Sequence, residues 1–109
     1  MKQTKVRFNN EKLQYSAILV KALAHPLRLK ILEYIDSQGI INVNKIYNTL
    51  NIEQSVTSQH LSLLKMAGVV NSKKEGKFVH YEINYPIVAK AERAVNNFLS
   101  WEKKRELSN

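Results

Sequence analysis

The chain has no cysteine, which excludes disulfides, thiolate metal ligands and thiol redox switching. Glycine is held to 3 residues and proline to 2 among 109, too little for the glycine-rich loop that lays phosphate against backbone N–H groups. No apolar run is long enough to span a bilayer and the start carries no signal-peptide pattern, so the expected compartment is the cytoplasm, with no membrane partner. The carboxylates are scattered without a pair placed for acid–base work, and a core of this size spares little room for a deep pocket. An enzyme is therefore not expected, and neither is a cofactor. What is present in excess is basic charge: 17 Lys+Arg against 9 Asp+Glu, a net +8 that suits an acidic polymer.

Length allows one domain with a small core, which would gain from burying further surface in a dimer. Met1–Asn10 carries Lys2, Lys5 and Arg7 without an apolar period and reads as a mobile basic arm. Residues 11–109 read as a single domain, with no repeat, low-complexity segment or linker.

The most informative stretch is Gln54–Val70, QSVTSQHLSLLKMAGVV. Thr57, Leu61 and Leu64 recur at i, i+4 and i+7 and predict one buried stripe, leaving Ser55, Ser58, Gln59 and Ser62 on the other side. Short, uncharged hydroxyls and amides both donate and accept, as base edges in a DNA major groove require. The same pattern describes an ordinary amphipathic surface helix, so its neighbours decide. Before it, Asn42 is placed to cap a short helix with Val43, Ile46 and Leu50 on its apolar side. Asn51, tolerant of left-handed backbone, follows as a turn. Helix, tight turn and polar-faced second helix form a helix-turn-helix pattern whose second helix is the reader.

After Gly68 the period changes from helical to two. Val69 and Val70 begin a strand, Lys73-Lys74-Glu75-Gly76-Lys77 reads as a basic turn, and Phe78 to Ile83 returns with Val79, Tyr81 and Ile83 alternating. A hairpin with a lysine-rich tip, directly behind a reader helix, is placed as a wing that grips phosphates. The expected fold is thus mainly α with a small β-hairpin: a winged helix-turn-helix of about five helices and a two-stranded wing. Its outer elements are an almost wholly apolar helix over Glu11 to Ala24, a second opened by His25-Pro26 and closed by Gly39, and a terminal one from Pro86 whose Ala91, Ala94, Val95, Phe98 and Trp101 form a stripe. The first and last of these either cap a monomer's core or form a surface for a second copy.

From Ile18 to Asn84 the chain resembles the ArsR-type (ArsR/SmtB) winged helix-turn-helix repressors. The resemblance rests on ALAHPLRLKIL, the Gln54-Ser55 and Ser58-Gln59-His60-Leu61 reader segment, the Ala67-Gly68-Val69-Val70 exit and the wing EGKFVHYEI, in this order and spacing. It implies a bacterial homodimer that binds double-stranded DNA over an inverted-repeat operator, represses transcription and leaves when a signal arrives. It further implies pairing of the first and last helices across a two-fold axis, through Leu13, Ala17, Val20, Ala91, Val95, Phe98 and Trp101.

On that reading Ser55, Ser58, Gln59 and His60 stand at base edges, with Gln59 suited to bidentate pairing with adenine. Thr57 lies near them but in the packing stripe. Lys65, Lys73, Lys74, Lys77 and Arg28 contact the DNA backbone, Arg28 alternatively holding the second helix in place. The family's metal sites use paired cysteines before the reader helix or carboxylates and histidines on the last helix. Here the first set is missing and the last helix has no histidine, so no metal is expected and the effector is left unassigned. A second reading stays open: a winged-helix module that docks on another protein without specific DNA binding.

Overall fold

The computed structural model describes residues 11–107; the expected Met1–Asn10 arm lies outside them. Five helices and three strands follow in the order α1 (Glu11–Leu23), α2 (Pro26–Gln38), β1 (Ile40–Asn42), α3 (Val43–Leu50), α4 (Gln54–Met66), β2 (Val70–Glu75), β3 (Phe78–Ile83) and α5 (Tyr85–Leu107).

Particular groups set the helix ends. His25 is extended and its Nδ1 accepts the Leu27 N–H at 3.1 Å, while Pro26 occupies the first turn, where a missing N–H costs nothing. The Asn42 side chain accepts the Lys45 N–H at 2.9 Å and opens α3. Asn51, at φ 55, makes the expected left-handed turn, and the Ile52 N–H reaches back to the Tyr47 carbonyl at 3.0 Å. Helix α4 closes in a Schellman arrangement: Val69 N–H to Leu64 O and Gly68 N–H to Lys65 O, both 2.9 Å, with Gly68 at φ +79.

The expected two-stranded wing is part of a three-stranded antiparallel sheet of order β1-β3-β2. The added strand is only three residues long, too short to show a period, and it exists because β3 offers its inner edge: Ile41 lies opposite Tyr81 and Asn42 opposite His80. The hairpin register also corrects the turn. Glu75 pairs with Phe78, so the loop is Gly76-Lys77 alone, and Lys73 and Lys74 belong to strand β2. Gly76 sits at φ +60 while Lys77 does not have positive φ, the signature of a type II′ turn with glycine first.

Among the described residues, one buried cluster joins the elements. Leu19 and Ala22 of α1, Ile31 and Ile35 of α2 and Ile46 of α3 meet Leu61 and Leu64 of α4, with Val69 and Val70 closing the base of the wing. Helix α1 packs against α2, α4 and α5. Among the described residues, no helix is long and apolar enough to cross a membrane.

Candidate nucleic-acid interface

Helix α4 is anchored by the stripe its period predicts. Thr57, Leu61 and Leu64 are all fully buried. The Thr57 hydroxyl donates to the Glu53 carbonyl at 3.0 Å, which satisfies its proton inside the protein, and its complete burial keeps the side chain from the surface. With that side fixed, Ser55, Ser58, Gln59, Ser62 and Lys65 are all exposed along the opposite face. The arrangement presents three hydroxyls and an amide on a rigid helix, with a cation at its C-terminal end. These are groups that can hydrogen-bond base edges and a phosphate without rearranging.

In the structure Arg28 and His60 contact each other. His60 follows Thr57 by three residues and precedes Leu64 by four, which places it beside the buried stripe. Its Nδ1 lies 3.3 Å from an Arg28 guanidinium nitrogen, and its ring stands 4.7 Å from that of His25 at an interplanar angle of 57°. A guanidinium can only donate, so this Nδ1 carries the lone pair and the ring is neutral, with its proton on Nε2. Burial, then the neighbouring His25, then Arg28 hold the His60 pKa below its ordinary 6.5. Arg28 also donates from Nε to the Ala22 carbonyl at 2.6 Å and from Nη2 to the Lys21 carbonyl at 3.2 Å. It therefore clamps the C-terminal end of α1 to α2 and α4, as expected of a residue that holds the second helix in place. His60 in turn meets Arg28 and His25 on the side of α4 next to the buried stripe.

A second support comes from Tyr15 on α1, whose hydroxyl donates to the Ala67 carbonyl at 3.4 Å, just past the last turn of α4. Nothing in the local sequence pattern signals this contact, because the two residues are 52 apart.

The wing follows α4 in the chain and packs against it through β2. Lys73, Lys74 and Lys77 are exposed, but adjacent strand residues point to opposite faces. Lys73 shares a face with Glu75 and pairs with it at 3.5 Å, both side chains largely in solvent. Lys74 lies on the other face, across from Val79. An exposed pair of this kind is weak, about 0–1 kcal/mol, so it leaves Lys73 available to a phosphate.

Of the expected dimer-surface residues, Val20 and Val95 are 38% and 40% exposed, and Ala17 is exposed. Ala91 is corrected: it is fully buried within the protomer, because the first turns of α5 lie over the core and only later turns run past it. The side chains of Leu13, Phe98 and Trp101 lie outside the described residues. His25 and His60 come together, yet among the described residues no group of three histidines or carboxylates is placed to hold a metal ion.

Comparison with known proteins places this geometry in context. Residues 25–72, from the α2 cap into the wing, match the model of a bacterial regulatory protein family, the arsR family. The chain is 37% identical over 87 residues to the transcriptional repressor PagR of Bacillus anthracis, an alignment spanning 74% of this chain and 86% of that protein. It is 32% identical over 88 residues to the arsenical resistance operon repressor of Escherichia coli, spanning 81% and 74%. The crystal structure of PagR superposes with a TM-score of 0.63 and 34% identity, covering 79% of this chain and 94% of that one.

Proposed function

Because the chain belongs to the arsR family of bacterial regulatory proteins, we propose that it acts as a homodimeric transcriptional repressor, with α4 of each protomer in successive major grooves of an inverted-repeat operator. The observation that carries this reading is the division of α4 into a fully buried stripe and an exposed, uncharged hydrogen-bonding face. A helix held so firmly on one side can present Ser55, Ser58 and Gln59 to base edges at little entropic cost. Gln59 is the residue suited to adenine, through paired bonds to N6 and N7. Lys65 and the wing lysines then fix register on the phosphates, supplying affinity without sequence discrimination.

The repressor assignment follows the names of PagR and the arsenical resistance operon repressor. The dimer assignment is supported by Ala17, Val20 and Val95, which leave apolar surface on the outer sides of α1 and α5 that a second copy would cover. Occupying the operator blocks polymerase at the same promoter.

Footprinting on DNA flanking the chain's own gene tests the reading. The expected result is a protected inverted repeat with half-sites about one helical turn, ~10 bp, or slightly more apart. Sedimentation should show a dimer at micromolar concentration, and Val95→Glu should give folded monomers that lose tight operator binding. A native chain that sediments as a monomer, or DNA binding without a preferred site, would contradict it.

A further inference from the structure

An open groove of about 310 Å³ lies between α1 and α4. It is lined by Ile18 and Ala22 from α1 and Leu63 and Met66 from α4, and also by Lys21 and Arg28, whose guanidinium donates to the Lys21 carbonyl. Three of the apolar residues are left largely in water: Met66 is 82% exposed, Ile18 54% and Leu63 48%. Exposed apolar surface gathered in a concavity is what a ligand's apolar body fills. The groove's residues on α1 are distinct from Ala17 and Val20, the ones offered above to a second copy.

The two cations of the lining also lack counter-charges: among the described residues, no carboxylate lies within salt-bridge distance of Lys21 or Arg28. Arg28 uses three of its five N–H groups, on Ala22 O, Lys21 O and His60 Nδ1, and the other two have no partner among the described residues. The groove thus joins an apolar trough to two uncompensated cations, and its volume falls at the lower end of the range of about 300–1,000 Å³ typical of small-molecule pockets. That size suits one small molecule.

We propose that this groove is a binding site for a small amphipathic carboxylate, its apolar body lying over Ile18, Leu63 and Met66 and its anionic head facing Lys21 and Arg28. Binding there bears on the reader helix directly. The guanidinium that would meet the carboxylate is the same one that ties the end of α1 to His60, and one wall of the groove is α4 itself. A ligand that draws Arg28 outward loosens its bonds to Ala22 O and His60, and so shifts α4 relative to α1 and α2. The link to release from DNA rests on the repressor reading above; the binding site does not.

The probe is decanoate, with decanol and acetate as controls for the body and the head alone. Calorimetry on the full chain without DNA should show one decanoate per protomer, weaker decanol binding and no acetate binding. Lys21→Gln should weaken decanoate by about fivefold, the scale of one exposed ion pair. Because the chain has no cysteine, Met66→Cys introduces a unique thiol, and decanoate should slow its labelling. In the operator complex, decanoate should raise the dissociation constant by about tenfold, a shift of ~1.4 kcal/mol. The absence of decanoate heat, equal affinity for decanol, or an unchanged Lys21→Gln affinity would overturn the site. If the thiol of the Met66→Cys variant is already protected without decanoate, and becomes exposed on dilution to monomer, the site is overturned in favour of a second copy seated in the groove. Decanoate bound with operator affinity unchanged would overturn the effector role. Failure to form any operator complex before decanoate is added would instead count against the repressor reading, and calorimetry would still decide the groove.

Discussion

Arg28 and His60 meet at 3.3 Å, guanidinium nitrogen to Nδ1, and this contact ties the start of α2 to the back of the reader helix. Through the same side chain, the carbonyls of Lys21 and Ala22 at the end of α1 are held at the junction. Three helices are therefore positioned by one planar cation whose donors point in fixed directions. Lysine, a point charge on a flexible stem, cannot reproduce that fork.

The junction makes stability depend on pH with a definite sign. His60 is held neutral in the folded protein, its pKa below the ordinary 6.5. The unfolded chain takes up a proton near the ordinary value, while the folded chain resists until lower pH. The stabilisation is therefore complete above about pH 6.5 and is lost as pH falls through the folded-state pKa. Thermal melts from neutral to mildly acidic buffer should show the native chain losing more stability than His60→Gln. Parallel slopes for the two proteins would show that His60 is not the group responsible.

Thr57 serves packing, because it is fully buried and its hydroxyl is already bonded to Glu53 O. Thr57→Val should cost about 1 kcal/mol in denaturant unfolding, the net worth of one hydrogen bond, since shape is kept. Operator affinity should stay close to native. A loss of specific binding with stability intact would place the hydroxyl on DNA.

The wing lysines divide by strand face. Replacing Lys73, Lys74 and Lys77 together with alanine should weaken binding to every sequence alike and flatten the plot of log K against log salt by about 0.9 per lost phosphate contact. Taken singly, Lys73→Ala and Lys74→Ala should differ if only one side of the ribbon meets the backbone, because the two side chains leave opposite faces. An unchanged slope in the triple variant would remove the wing from DNA binding.

Much of the fold is legible in the sequence because it is carried by local periodicity. The stripe Thr57, Leu61 and Leu64, the turn at Asn51 and the cap at Asn42 each follow from residue type and spacing, and the structure has all of them. What escapes is what depends on partners. β1 is three residues that become a strand only because β3 offers an edge. Lys73 and Lys74 read as turn residues, but pairing that starts from Val70 opposite Ile83 in the buried base carries the strands out to Glu75 and Phe78. Arg28 has three partners in two other helices, one of them 32 residues away, and no short pattern encodes such a set. His60 is different: its spacing from Thr57 and Leu64 sets it beside the buried stripe, a signal the reading of it as a base-edge residue left unused. Ala91 shares its helix face with Val95, yet one is buried and the other exposed, because α5 outruns the core it begins on.

Gln59→Ala, titrated by fluorescence anisotropy against the footprinted operator and against random duplex at the same salt, tests the central assignment of α4 as the reader. A base contact carries discrimination, so the variant should lose roughly 1–3 kcal/mol, about 5- to 150-fold, on the operator and little on random DNA. Gln59 is exposed, so the fold should survive the change. Equal losses on both DNAs, or no loss on either, would contradict the assignment of Gln59 as the base-reading residue of α4.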